Sequence, residues 1–133
     1  YSLVAQLGED LHDITDHSRE FTYPYQTYVD HTLDYIECNY NKNIKISDIA
    51  DYIGINRSYL TSCFKKIMNV SPHRYLLEYR MMKAETLLLS TDKTINEISA
   101  QVGYEDSLAF SKVFKNYTGM SPKNFRKKTG NDL

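Results

Sequence analysis

One stretch of this sequence occurs twice. The segment beginning at Ile46, ISDIADYIGINRSYLTSCFKKIMNVSPHRY, matches the one beginning at Ile95, INEISAQVGYEDSLAFSKVFKNYTGMSPKNF. Ile46 falls on Ile95, Ile49 on Ile98, Ile53 on Val102, Gly54 on Gly103 and Ser58 on Ser107. After one additional residue in the second copy, Phe64 falls on Phe114, Lys65 on Lys115, Ser71-Pro72 on Ser121-Pro122, and Tyr75 on Phe125. A chain with such a repeat builds one supersecondary unit twice.

Each copy reads as a short helix, a tight turn and a second helix. Ile46, Ile49, Ala50 and Ile53 form one apolar face, and Ile95, Ile98 and Val102 form its counterpart. Thr94 and Glu97 have capping-box spacing, which starts the second copy's first helix. Gly54 and Gly103 close these helices, where a turn of positive φ suits glycine. The second helices are predicted over 57–68 and 106–118. Leu60, Phe64 and Ile67 should be buried in the first, and Phe110, Phe114 and Tyr117 in the second. Asn69 and Gly119 are expected as left-handed caps. Each Ser-Pro pair then supplies an N-cap serine and an N1 proline.

Between the copies, residues 72–89 predict a helix of about 27 Å. It carries Tyr75, Tyr79, Met82 and Leu89 on one side, and Leu77, Met81, Ala84 and Leu88 on the other. A helix apolar on two sides should hold one lobe at each end and set their separation. Successive major grooves on one face of DNA lie about 34 Å apart, a spacing with which this length is compatible.

Charge is divided along the chain. The 133 residues carry a net charge of -1, which by itself disfavours nucleic acid. Residues 1–43 hold -6, however, and residues 44–133 hold +5. Such asymmetry points to a nucleic-acid-binding part joined to an acidic lead. Within that lead, Val4, Leu7, Leu11, Ile14 and Phe21 follow a heptad rhythm, with Ser18 at one seam position. This fits either a dimerising helix or a linker helix packed on an upstream domain. The stretch 22–26, around Pro24, should break that helix. A following helix would turn Tyr25, Val29, Leu33, Ile36 and Tyr40 toward the core and end at 39–43.

Cys38 and Cys63 are too few for a disulfide framework and fit free thiols in a reducing cytoplasm, with Cys63 as a small core residue. His12, His17, His31 and His73 show no metal-ligand spacing, so neither metal nor cofactor is expected. The twelve tyrosines suggest core and interface material. Arg80 is expected to be structural, bonding a helix end or a carboxylate. No nucleophile and base can be placed together, which argues against an enzyme. No run approaches a membrane span.

Three motifs carry a family resemblance. They are Arg80-x3-Ala84-x2-Leu87-Leu88, then Ile95-x2-Ile98 with Val102-Gly103-Tyr104, then Phe110-Ser111-x-x-Phe114-Lys115-x3-Gly119-x-Ser121-Pro122-x4-Arg126. In these, residues 28–128 resemble the C-terminal DNA-binding domain of AraC/XylS-type transcription regulators. Asn69, Ser99 and Ala109 depart from the pattern, where glycine, alanine and an aromatic residue are usual. The resemblance implies an all-α fold of seven helices, with two tandem helix-turn-helix lobes joined by a long linker helix. It implies a bacterial activator that binds double-stranded promoter DNA, with RNA polymerase as a further partner. It also implies an effector-receiving part upstream.

The resulting division is a linker or dimerisation helix over 1–24 and a DNA-binding domain over 25–133. Within the latter, lobe one covers about 25–71, the linker helix 72–89, and lobe two about 94–128. The outer faces of helices 57–68 and 106–118 should read successive major grooves. The residues there are Arg57, Ser58, Thr61 and Ser62, then Ser107, Leu108, Ser111 and Lys112. Phosphate contacts fall to Lys65, Lys66, Lys115, Asn116, Lys123 and Arg126, with Lys127 and Lys128 beside them. The competing reading is a helical protein-interaction module docking through its acidic N-terminal segment.

Overall fold

The repeat folds as two capped helix pairs around one long helix. A computed structural model describes residues 17–131, with side chains over 25–129. The heptad residues of the acidic lead, with His12 and His17, lie outside the described side chains. Among the described residues there are seven helices and no strand. They are α1 (His17–Asn39), α2 (Ile46–Ile53), α3 (Arg57–Met68), α4 (Pro72–Ser90), α5 (Ile95–Gln101), α6 (Ser107–Thr118) and α7 (Pro122–Asn131).

The expected break at 22–26 is absent, since α1 runs from His17 through Pro24 to Asn39. Proline removes one amide donor, but its fixed φ is helical, so the helix continues with one bond fewer. No helix end therefore coincides with the expected boundary at residue 24.

The caps follow local sequence. Ser71 Oγ accepts from the amide of Arg74 at 3.1 Å, and Ser121 Oγ accepts from that of Asn124 at 3.2 Å. Asn69 has φ 65° and Gly119 φ 91°, both left-handed as expected. At α5, Thr94 Oγ1 accepts from the Glu97 amide at 3.1 Å, while the Thr94 amide donates to Glu97 Oε1 at 2.8 Å. The Thr94 amide and hydroxyl hold the Glu97 carboxyl below its ordinary range. A lowered carboxyl pKa adds stability above the unfolded value, and that stability is lost as pH falls through the folded one. Thr94→Ala should lower stability by about 1 kcal/mol in urea unfolding at neutral pH. The deficit should shrink in acid, where Glu97 is protonated in both proteins.

Lobe one closes over Ile36, Ile49, Ala50, Leu60 and Leu76, with Val29, Leu33 and Phe64 beside them. Lobe two closes over Met81, Ala84 and Leu88 of α4 with Ile98, Val102, Phe110 and Phe114. The linker helix thus serves both cores, but its two stripes are narrower than expected. Met82 and Leu89 are 45% and 53% exposed, and Leu76 takes the buried place on lobe one's side. The lobes cover two sides of α4, and Met82 and Leu89 lie on the third. Tyr117, expected in lobe two's core, is likewise 39% exposed. It sits near the end of α6, where Phe114 and Phe125 already fill the space, their rings 5.3 Å apart.

A second tie joins the lobes beside α4. Arg80 donates from Nε to the Tyr40 carbonyl and from Nη2 to the Lys42 carbonyl, both at 2.8 Å. These carbonyls lie in the turn that directly follows α1, so Arg80 ties down that helix end and has the structural role expected of it. Its guanidinium also lies 5.4 Å from the centre of the Tyr104 ring. Tyr40 packs against both cores. Gly103, at φ +100°, presses so closely on this junction that a Cβ would meet the Tyr40 carbonyl oxygen at 2.6 Å. Gly54 has a similar φ of +88° but open space around it. The repeated glycine thus answers a backbone need in both lobes and a packing need in one.

Candidate nucleic-acid interface

The caps of α3 and α6 fix the register of the two candidate reading helices. Asn56, a cap that the sequence reading missed, accepts at Oδ1 from the amides of Ser58 (2.8 Å) and Tyr59 (3.3 Å). Asp106 accepts at Oδ1 from the Leu108 amide at 3.0 Å and is the cap of α6, not its first residue. Both helices then run for 12 residues. The additional residue of the second copy therefore sits in the turn between Gly103 and Asp106. This corrects the pairing of Ser58 with Ser107. By position, Ser107 corresponds to Arg57, Leu108 to Ser58, Ser111 to Thr61 and Lys112 to Ser62.

On that register the two outer faces are equivalent. In α3, Leu60, Cys63 and Phe64 are fully buried, while Arg57, Ser58, Ser62 and Lys65 are exposed and Thr61 is half-buried. In α6, Phe110 and Phe114 are fully buried, while Leu108, Lys112, Lys115 and Asn116 are exposed and Ser107 and Ser111 are half-buried. With about 100° between successive residues, positions 58, 61, 62 and 65 share one face, and so do 108, 111, 112 and 115. All eight expected base readers thus lie on these faces or at their leading edge. Among the described residues the ion pair is Arg74–Glu78 at 2.9 Å, on α4. Arg57 and the lysines of both faces are outside it.

The basic set divides. Lys65, Lys66, Lys115, Asn116, Lys123, Lys127 and Lys128 are all exposed. Lys66 lies 5.2 Å above the Tyr25 ring, at the edge of its helix that faces α1. Arg126 has a different task from the phosphate contact expected of it. It is half-buried, with Nε donating to the Leu88 carbonyl at 3.0 Å and Nη2 to the Thr91 carbonyl at 3.1 Å. These carbonyls end α4, so Arg126 does for α4 what Arg80 does for α1. Backbone carbonyls have no sequence signature, which is why its basic neighbours suggested phosphate instead.

Tyrosines bind the first reading helix to α1. The Tyr59 ring lies 6.0 Å from both the Tyr25 and Tyr28 rings. Cys63 is buried, and burial pushes its thiol up, away from thiolate chemistry. Cys38 is exposed, and both thiols are free. Among the described residues no cluster of ligands could hold a metal ion, and no helix is long and apolar enough to cross a membrane.

Comparison with known proteins agrees with this geometry. Residues 49–128 match the family model of a helix-turn-helix domain. The Msm operon regulatory protein of Streptococcus mutans is 39% identical over 99% of this chain and 47% of its own length. The lactose operon transcription activator of Staphylococcus xylosus is 42% identical over 74% of this chain and 35% of its own. The chain thus spans less than half the length of these relatives. The solved C-terminal domain of AraT, a response regulator from Geobacillus stearothermophilus, superposes with a TM-score of 0.75 at 31% identity. That match covers 76% of this chain and 84% of that domain.

The fold and its two outer faces define a tandem helix-turn-helix DNA-binding domain. The chain belongs to the AraC-type family of transcription regulators, and the function of this domain is DNA binding in transcription regulation.

Proposed function

We propose that this chain directs an operon activator to its promoter, with α3 and α6 entering two successive major grooves of double-stranded DNA. The observation that carries the reading is the pair of equivalent polar faces set on repeated apolar cores. Arg57, Ser58, Thr61 and Ser62 read bases in one groove, and Ser107, Leu108, Ser111 and Lys112 in the next. Lys65, Lys66, Lys115, Asn116 and Lys123 neutralise phosphates. α4, about 28 Å long, suits the groove spacing of about 34 Å.

Relatives named for lactose, raffinose and melibiose operons support a role in saccharide utilisation. In the whole protein, a further part receives the saccharide signal. The segment over 1–24, which runs into the rest of the chain along α1, connects to that part or pairs with a second copy, while residues 25–133 bind DNA. RNA polymerase is the partner that converts DNA binding into activation, in the cytoplasm and without catalysis by this chain.

Fluorescence anisotropy against promoter DNA over a salt series tests the reading. Affinity should fall steeply as salt rises, because several phosphates are neutralised and their counterions released. Binding that ignores salt, or no binding at low salt, would overturn it.

A further inference from the structure

The first turns of α3 and α6 occupy the same structural position and differ in chemistry. Arg57 and Ser58 open α3, both exposed and both able to donate hydrogen bonds. Ser107 and Leu108 open α6, and Leu108 is 77% exposed, more than any other large apolar side chain described. Ala109, beside it, is exposed too. The core does not need Leu108, since Phe110 and Phe114 close lobe two with no exposure of their own. The bond from its amide to Asp106 fixes it in the first turn. Single exposed leucines are ordinary on a surface. This one occupies the position of Ser58 on a reading face, with Lys112 one turn further along that face.

We infer that Leu108 reads thymine through the C5-methyl group, so that lobe two selects thymine where lobe one selects a hydrogen-bonding base edge. The inference rests on the reading that α3 and α6 enter the major groove. There the edges of guanine, cytosine and adenine present donors and acceptors, and thymine adds a methyl group. An isobutyl side chain set against N7, O6 or an exocyclic amine takes water from those groups and returns no hydrogen bond. Against the methyl group it buries apolar surface. The faces are therefore complementary to different base pairs. Arg57 favours guanine in lobe one's groove, and Leu108 favours thymine in lobe two's. The two halves of the DNA site are unequal, and the bound chain points one way along the duplex.

The test uses duplexes enriched from a random double-stranded library by the chain itself. Each thymine in lobe two's half is replaced in turn by uracil, which removes the methyl group and keeps every hydrogen-bonding group. One such replacement should weaken the wild-type chain roughly fourfold. The same replacement should leave the Leu108→Ala affinity unchanged. Leu108→Ser, which places lobe one's residue in lobe two, should bind without any response to the methyl group. Both variants should match the wild type in urea midpoint, because the side chain is exposed. If no thymine shows methyl dependence, or if Leu108→Ala keeps the uracil penalty, the inference fails while DNA binding stands. Enrichment of no duplex at all would overturn the reading beneath it.

Discussion

Gly103→Ala should destabilise the chain by about 3 kcal/mol or more, whereas Gly54→Ala should cost about 1 kcal/mol. The two glycines are repeat counterparts with nearly the same left-handed backbone, φ +100° and φ +88°. An L-residue in that region costs about 1–2 kcal/mol, partly offset by the lower entropy of an unfolded alanine. Gly54 bears this cost alone, since nothing lies within 4 Å of an added Cβ. At Gly103 the Cβ would stand 2.6 Å from the Tyr40 carbonyl oxygen and 3.1 Å from Arg80 Nε and Nη2. That carbonyl accepts the Arg80 hydrogen bond, so it cannot retreat without loosening the tie between the lobes. Urea unfolding of the two variants measures the difference directly. Equal losses would show that the close approach contributes nothing. A Gly103→Ala chain that still folds should also lose more affinity for a duplex with both half-sites than for one half-site, because the lobe spacing is disturbed.

The same junction marks where the sequence stops being informative. The repeat, the Ser-Pro caps, the Thr94–Glu97 box and the left-handed Asn69 are local, and each is legible because a few neighbouring residues determine it. The reading faces are legible for a related reason. Leu60 and Phe64, or Phe110 and Phe114, fix the buried side of a helix, and the opposite side follows. Arg80 and Arg126 end on carbonyls more than thirty residues away in sequence, and only the packing of α4 and α7 decides which ones. Met82, Leu89 and Tyr117 look like core by period. They stay exposed because the number of neighbours around a helix is a tertiary property. Letter matching hides the place of the second copy's extra residue, since Ser107 resembles Ser58 by letter, whereas Asp106 and Asn56 are alike by capping role. A side-chain acceptor before each helix was the signal that could have found it.

Arg57→Ala should lower affinity for the best duplex about tenfold and flatten the preference at one base pair, while Lys115→Ala should weaken all duplexes alike. Arg57 stands at the first position of α3, with no acidic residue in that turn. A cation there opposes the helix dipole, at a cost of about 0.3–1 kcal/mol. The fold gains nothing from that placement, which is the pattern of a residue kept for contact. A guanidinium on guanine O6 and N7 makes two directed bonds, and alanine makes none. Lys115 lies in the last turn of α6, where a cation favours the helix. Its ammonium meets phosphate, which every sequence offers equally, so its loss should reduce the salt slope by about one counterion. The two variants should also move stability in opposite directions, Arg57→Ala slightly up and Lys115→Ala slightly down. Binding measured against single-base variants of the selected duplex separates the roles. If both substitutions weakened every duplex equally, Arg57 would be a phosphate contact and the assignment of base readers on α3 would be wrong.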